Sequence, residues 1–228
     1  DTGSSSTVMM HGDFGKIVTA FLAMVVFAGV SQGSEGHGLF KPADDLWIND
    51  PRVVVVDGVY HLFYQKPPRV IGRAVSKDLL SWHYKPGGVV AGSRGAWDAK
   101  DICTSRFFYW QGTFYSLYTG RSDAKGERGR YQRIGLATSR DGFRFERHPE
   151  NPVLLPDPNW YEDDYTNAPG YQNVAWRDPD VWHNAKDGFF YVYLTGRVNK
   201  GPGNRRGCIA LARSRDWVRW HCLPPCYA

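Results

Sequence analysis

One pattern occurs three times along this chain, and such an internal repeat strongly limits the folds it can adopt. The stretches IGRAVSKDLLSW, IGLATSRDGFRF and IALARSRDWVRW begin at Ile71, Ile134 and Ile209. In each, alternating apolar residues lead into Ser, a basic residue and Asp, and an aromatic residue closes the stretch. Alternation predicts a strand, and the Asp favours a tight turn because its side chain can bond the backbone that follows. Each stretch therefore predicts a β-hairpin.

A second hairpin precedes each of these stretches. Its turn is marked by a pair that ends in glycine, which supplies the positive φ that such turns need: Asp57-Gly58, Gln111-Gly112 and Asp187-Gly188. Two hairpins give four strands per unit. Four-stranded units at this spacing predict an all-β fold, a β-propeller with long loops, since an immunoglobulin-like sandwich would not repeat its sequence. About three blades are present, and because a propeller typically closes with four to eight, we expect the chain to be truncated at its C-terminus.

The N-terminal part has the composition of an export signal. Lys16 precedes an apolar run at 17–30, and small polar residues follow it. The run suits a signal-peptide core and is shorter than the ~20 residues that span a bilayer; a buried core segment is the alternative. We interpret residues 1–36 as an upstream extension plus a signal peptide around 9–33, and residues 37–228 as the partial propeller. This predicts a secreted or periplasmic protein that has no membrane contact after signal cleavage.

The net charge and the cysteine and histidine content limit which partners, disulfides and metal sites are expected. The formal net charge is +5, but the basic residues are scattered, so nucleic acid is not an expected partner. The four cysteines allow three disulfide pairings and equally allow buried free thiols. Neither their spacing nor that of the seven histidines matches a metal site, so no metal is predicted.

An aspartate precedes the first predicted strand of each unit: Asp50, Asp101 and Asp178. The first strand of each propeller blade runs beside the central axis, so these residues should converge on one funnel. Asp50 and Asp178 are both followed by proline, a pairing that by itself is a common way to open a turn. Recurrence at matching positions favours function instead, because glycosidic-bond cleavage uses two carboxyl groups. The sequence therefore predicts a sugar-cleaving site.

Four ordered motifs carry a resemblance to a known family. WINDP at 47–51, YHLFYQ at 60–65, AVSKDL at 74–79 and WRDP at 176–179 together resemble the N-terminal part of glycoside hydrolase family 32. The resemblance implies a five-bladed propeller that hydrolyses fructosides such as sucrose, inulin or levan with retention, without metal or organic cofactor. The related family 43, with inverting arabinosidases and xylosidases, is the nearest alternative. A non-catalytic carbohydrate-binding propeller and a protein-interaction propeller are the others.

The resemblance also implies a role for each matching residue. Asp50 would be the nucleophile and Asp178 the stabiliser of the oxocarbenium-like transition state. Asn49, Gln65 and Arg177 would orient the sugar, and Trp47 would form an aromatic wall against which the sugar ring packs. Asp101 is a further substrate-binding candidate because of its position at the start of the second unit. Three stretches depart from the family pattern and would line the sugar pocket: Arg52-Val53, Ile71-Gly72-Arg73 and Cys103-Thr104-Ser105.

The general acid of the family is a glutamate some fifty residues after the Arg-Asp-Pro motif, which falls at or beyond Ala228. No glutamate follows Glu162 in the chain. Proton donation contributes roughly 10²- to 10⁴-fold to such reactions. These 228 residues alone are therefore expected to be inactive.

Overall fold

The structure, a computed structural model, describes residues 49–66, 69–167 and 172–228. These residues form twelve β-strands and two single-turn 3₁₀ helices, Tyr165–Asn167 and Gly203–Arg205. The predicted signal peptide and Trp47 lie outside the described residues. Within those residues, no helix is both long and apolar enough to cross a membrane.

The strands form three antiparallel sheets of four, each in sequence order. The first contains β1 (Asn49–Val56), β2 (Val59–Lys66), β3 (Val70–Ser76) and β4 (His83–Val90). The second contains β5 (Asp101–Trp110), β6 (Thr113–Arg121), β7 (Gln132–Ser139) and β8 (Glu146–Arg147). The third contains β9 (Trp176–Asn184), β10 (Phe189–Arg197), β11 (Gly207–Ser214) and β12 (His221–Tyr227). The predicted four-stranded units are confirmed, and we number them blades 1 to 3.

The first strands of the three blades are neighbours, since β5 lies against β1 and also against β9. Apolar side chains fill the space between successive blades. Between blades 1 and 2, Phe63 stacks on Phe107 with ring centroids 3.7 Å apart. Between blades 2 and 3, Trp217 stacks on Tyr115 at 4.5 Å. The blades therefore pack face to face around an axis lined by their first strands, as expected for a β-propeller.

The repeated Ser-basic-Asp turn has one geometry in all three blades. In blade 2, Asp141 Oδ1 accepts hydrogen bonds from the backbone N–H groups of Phe143, at 2.7 Å, and Arg144, at 3.0 Å. Asp78 and Asp216 accept the equivalent pairs in blades 1 and 3. These bonds lower the pKa of Asp78 and of Asp141 to about 2. The predicted role of this aspartate is confirmed.

Candidate active site

Each first strand has a β-bulge at the same level of its blade. The register shows two residues of β1, Asp50 and Pro51, opposite one residue of β2. Asp178 and Pro179 of β9 likewise lie opposite one residue of β10, and Thr104 is the extra residue of β5. A bulge interrupts the alternation of a strand and re-aims the side chain it contains. The two Asp-Pro pairs thus occupy equivalent bulges inside strands rather than turns.

Both aspartates have an unusual backbone conformation. Their φ angles are +49° at Asp50 and +58° at Asp178. Positive φ is uncommon outside glycine, although Asp tolerates it better than most residues, and a residue before proline normally stays extended. Strained backbone of this kind costs roughly 1–3 kcal/mol and clusters at functional sites. The two acids therefore share a backbone conformation that most residues avoid.

Two threonines of blade 2 connect the acids of blades 1 and 3. Thr104 Oγ1 donates a 2.6 Å hydrogen bond to Asp50 Oδ2. Thr119 Oγ1, on β6, donates to the Thr104 carbonyl at 3.4 Å and accepts a bond from the Asp178 N–H at 3.3 Å. The structure therefore brings the two predicted acids to opposite sides of the same stretch of blade 2.

Asn49 and Gln65 are register partners across β1 and β2, directly beside the Asp50 bulge. Gln65 Nε2 also donates to the Ile102 carbonyl of blade 2, at 3.4 Å. Both predicted sugar-orienting residues thus lie next to the candidate nucleophile.

Arg177 lies next to Asp178 on β9, and its Nε forms an ion pair with Asp178 Oδ2 at 3.2 Å. Its Nη1 donates to Gln132 Oε1 at 3.3 Å, and the same oxygen accepts the Trp176 N–H at 3.2 Å. Gln132, on β7, therefore holds both the backbone before Arg177 and its guanidinium. About a third of each partner in the Arg177–Asp178 pair is exposed, so both remain accessible from solvent.

Asp101 begins β5 and is buried. Both of its oxygens accept hydrogen bonds from Arg121, and this contact raises the pKa of that guanidinium. The adjacent Cys103 has its pKa raised to about 12, first by burial and then by the negative charges of Asp101, Asp178 and Asp50. Asp101 is thus already bound by an arginine of its own blade.

The sequence of this chain matches a known protein family over most of its length. The model of the family described as "Glycosyl hydrolases family 32 N-terminal domain" matches residues 40–226. The chain belongs to glycoside hydrolase family 32. The family predicted from the WINDP and WRDP motifs is therefore confirmed, and family 43 is set aside.

Relatives of this family 32 chain are named as fructofuranosidases. It is 30% identical over 178 residues to acid beta-fructofuranosidase 4, vacuolar, of Arabidopsis thaliana, covering 71% of this chain and 24% of that one. It is 30% identical over 200 residues to beta-fructofuranosidase, insoluble isoenzyme 2, of Oryza sativa subsp. indica, covering 79% and 29%. The chain spans about a quarter to a third of the length of the curated relatives it matches.

A solved structure shares the fold. Fructan 1-exohydrolase IIa of Cichorium intybus superposes with a TM-score of 0.63 and 26% identity, over 83% of this chain and 34% of the other. The same enzyme in complex with 1-kestose gives a TM-score of 0.63 at 25% identity, over the same shares.

Sequence reasoning missed Thr119 and Gln132 in this family 32 site, and it assigned Thr104 only to the pocket wall. A signal for Thr119 was present, because Thr-Gly-Arg occurs both at 119–121 and at 195–197, each time late in the second strand of a blade. Gln132 carries no comparable pattern.

Two other features of the described residues lie apart from this site. A cleft of about 320 Å³ is lined by residues 152–155, Asp157 and 220–222, none of which belongs to the site. In the part of the chain that the structure describes, no three His, Cys, Asp or Glu side chains are grouped to hold a metal ion.

Proposed function

We propose that the protein carrying this chain is a β-fructofuranosidase that cleaves the O-glycosidic bond of fructosides, of the sucrose, inulin or levan type, with retention. The observation that supports this most directly is the pairing of Asp50 and Asp178. They occupy equivalent bulges of two blades, share a positive φ, and are held by adjoining threonines of the blade between them. The names of the relatives supply the substrate class.

In this proposal Asp50 is the nucleophile. Thr104 holds its Oδ2, so we assign the attack to Oδ1. Oδ1 bonds to the anomeric carbon of the fructosyl unit as the bond from that carbon to the leaving oxygen breaks. Water then attacks the same carbon of the resulting ester and gives its proton to the group that had protonated the leaving oxygen, which releases fructose and restores the carboxylate. Two displacements at one carbon retain its configuration.

Asp178 would stabilise the positive charge that develops on the sugar ring and would accept hydrogen bonds from its hydroxyl groups. Arg177 supports this role because its ion pair fixes the direction of the Asp178 carboxylate. Asn49 and Gln65 lie on the Asp50 side of the site and would bind the same sugar. Charged groups arranged in advance around a developing charge are commonly the largest contribution to catalysis.

The leaving oxygen also needs a proton. Glu127 forms a two-point ion pair with Arg133, at 2.7 and 2.8 Å, and Glu162 is buried against Arg197 at 2.6 Å. Both carboxylates serve the scaffold, so we assign neither of them to proton donation. In the family that the chain resembles, the proton donor is a glutamate after the Arg-Asp-Pro motif, and we propose the same for the complete protein.

We further propose that residues 37–228 form part of the propeller domain and that the segment around 9–33 directs export. The apolar run at 17–30 with its preceding lysine supports this. A relative named as vacuolar is consistent with a protein that leaves the cytosol.

Expression of the complete gene product and assay of sucrose, 1-kestose, inulin, levan, arabinan and xylan would test the activity. We expect fructose release, and a fall of about 10³-fold or more in kcat for Asp50→Asn and for Asp178→Asn. Asp57→Asn is the matched control, because Asp57 also has a positive φ, +49°, but lies in the β1–β2 turn. Undiminished fructose release by Asp50→Asn would refute the assignment. Retention would appear as a methyl β-fructoside when methanol competes with water.

A further inference from the structure

Blade 2 contributes neither the proposed nucleophile nor the proposed stabiliser, yet its side chains contact both. The contact to Asp50 is short: 2.6 Å separates Thr104 Oγ1 from Asp50 Oδ2. This length is typical of a hydroxyl that donates to an ionised carboxylate, a stronger bond than one between neutral groups. Thr104 is itself buried, so its hydroxyl is screened from competing water.

The contact to Asp178 is made through the backbone. Thr119 has no exposed surface, and its Oγ1 accepts the N–H of Asp178, whose φ is +58°. The same hydroxyl directs its proton to the carbonyl of Thr104, so its orientation is set on both sides. A buried β-branched side chain has little rotational freedom at χ1. Thr119 therefore holds the strained backbone that aims the second acid.

We propose that Thr104 and Thr119 are positioning residues that set the separation and orientation of Asp50 and Asp178. The inference rests on the proposed function, because it concerns the same two acids. Neither threonine needs to touch the sugar. Thr104 fixes one carboxylate oxygen and leaves the other for attack, and Thr119 fixes the main chain beside the second carboxylate. Misplacement of reacting groups by about 1 Å can cost on the order of 100-fold in rate.

Valine variants distinguish a positioning role of the two threonines from a purely structural one. Valine replaces the threonine hydroxyl with a methyl group at nearly the same volume, so packing is preserved while the hydrogen bond is lost. If the threonines only fill space, Thr104→Val will keep wild-type kinetics. If they position the acids, kcat will fall while KM changes little, because Asn49 and Gln65, which would bind the sugar, stay in place.

The experiment is performed on the complete gene product with sucrose and 1-kestose. We expect Thr104→Val to lower kcat about 10- to 100-fold and Thr119→Val about 10-fold, with KM changed by less than about threefold. Thr104→Ser and Thr119→Ser, which restore the hydroxyl, should recover most of the loss. Thr138→Val is the matched control, since Thr138 lies on β7 opposite Tyr115, away from the acids, and it should behave as wild type.

The outcomes separate this inference from the function on which it rests. Wild-type kcat in Thr104→Val, together with an inactive Asp50→Asn, would overturn the positioning role and leave the proposed function intact. A fully active Asp50→Asn would contradict the proposed function itself, on which the positioning role depends. If Thr104→Val does not fold, Thr104→Ala and Thr104→Ser replace it: equal kcat in these two would overturn the inference, and a higher kcat in the serine variant would support it.

Discussion

Arg121 binds both carboxylate oxygens of Asp101, with its Nε 2.7 Å from Oδ1 and its Nη2 2.5 Å from Oδ2. The two residues are register partners at the ends of β5 and β6. The ion pair therefore joins β5 to β6, at the end of blade 2 where the first strands of the three blades bring their aspartates together. It favours a structural role for Asp101, which its sequence position had marked as a sugar ligand.

Loss of this pair should destabilise the fold measurably. Arg121→Met removes both donors and leaves a buried carboxylate without a partner, so we expect the free energy of unfolding to fall by about 1–3 kcal/mol. Urea denaturation at pH 7 measures the change. Adding Asp101→Leu to Arg121→Met should recover part of the loss, because the unpaired charge is then absent. Equal midpoints for wild type and Arg121→Met would contradict the structural role.

Stability should fall with acidification because of His61. Burial, and secondarily the charge of Arg73, lowers the pKa of His61 to about 4, and Arg73 Nη2 lies 3.2 Å from Nδ1. An unfolded histidine titrates near 6.5, so below that pH the unfolded state binds more protons than the folded state. Stability from this group is therefore present at pH 7 and is lost as the pH falls towards 4. Between pH 7 and pH 5 we expect a loss of about 2 kcal/mol.

Urea midpoints at pH 7 and pH 5 check this expectation. His61→Gln keeps an acceptor for Arg73 but cannot be protonated, so its midpoint should change less between the two pH values. His83→Gln, at an exposed position of β4, is the control and should follow wild type. The same slope in His61→Gln as in wild type would assign the effect to another group.

The repeated turn offers a paired test of backbone strain. The residue after the turn aspartate has φ of +65° at Leu79, +66° at Gly142 and +69° at Trp217. Leu79→Gly should change the free energy of unfolding little or raise it by up to about 1 kcal/mol, because only glycine adopts this conformation without strain. Trp217→Gly should cost about 3–5 kcal/mol, since it removes a buried side chain from the core between blades 2 and 3. Thermal melts that rank Leu79→Gly below Trp217→Gly would contradict this expected order.

The four cysteines are free in the structure, which favours the thiol alternative over the disulfide one. Burial raises the pKa of Cys103 to about 12 and those of Cys208 and Cys222 to about 11, and Cys226 is exposed. At pH 8 an aromatic disulfide reagent should therefore modify Cys226 quickly and the other three only slowly. In denaturant all four should react. Fewer than four reactive thiols there would reveal a disulfide, and Cys226→Ser should remove the fast phase.

Local chemistry made much of the fold predictable. The turns depend on residues within four positions of one another, so the sequence shows them directly. They are the hairpin turns at Asp57-Gly58 and Gln111-Gly112 and the aspartate turns at Asp78, Asp141 and Asp216. Matching positions in the repeat also marked Asp50 and Asp178 as candidates, and the structure places them in equivalent bulges of blades 1 and 3.

The bulges, the positive φ of both acids and the bonds from Thr104 and Thr119 could not be read in this way. The bulges are register shifts between paired strands of one blade, which the pattern of alternation does not show. The two threonine bonds depend on strands of different blades meeting: 54 positions separate Thr104 from Asp50, and 59 separate Thr119 from Asp178. Repetition in the sequence thus determined the blades and which residues face the axis, since turn chemistry and alternation act over a few residues. Only the packing of one blade on the next decided how Thr104 and Thr119 hold the two acids, because both threonines come from a blade that contains neither acid.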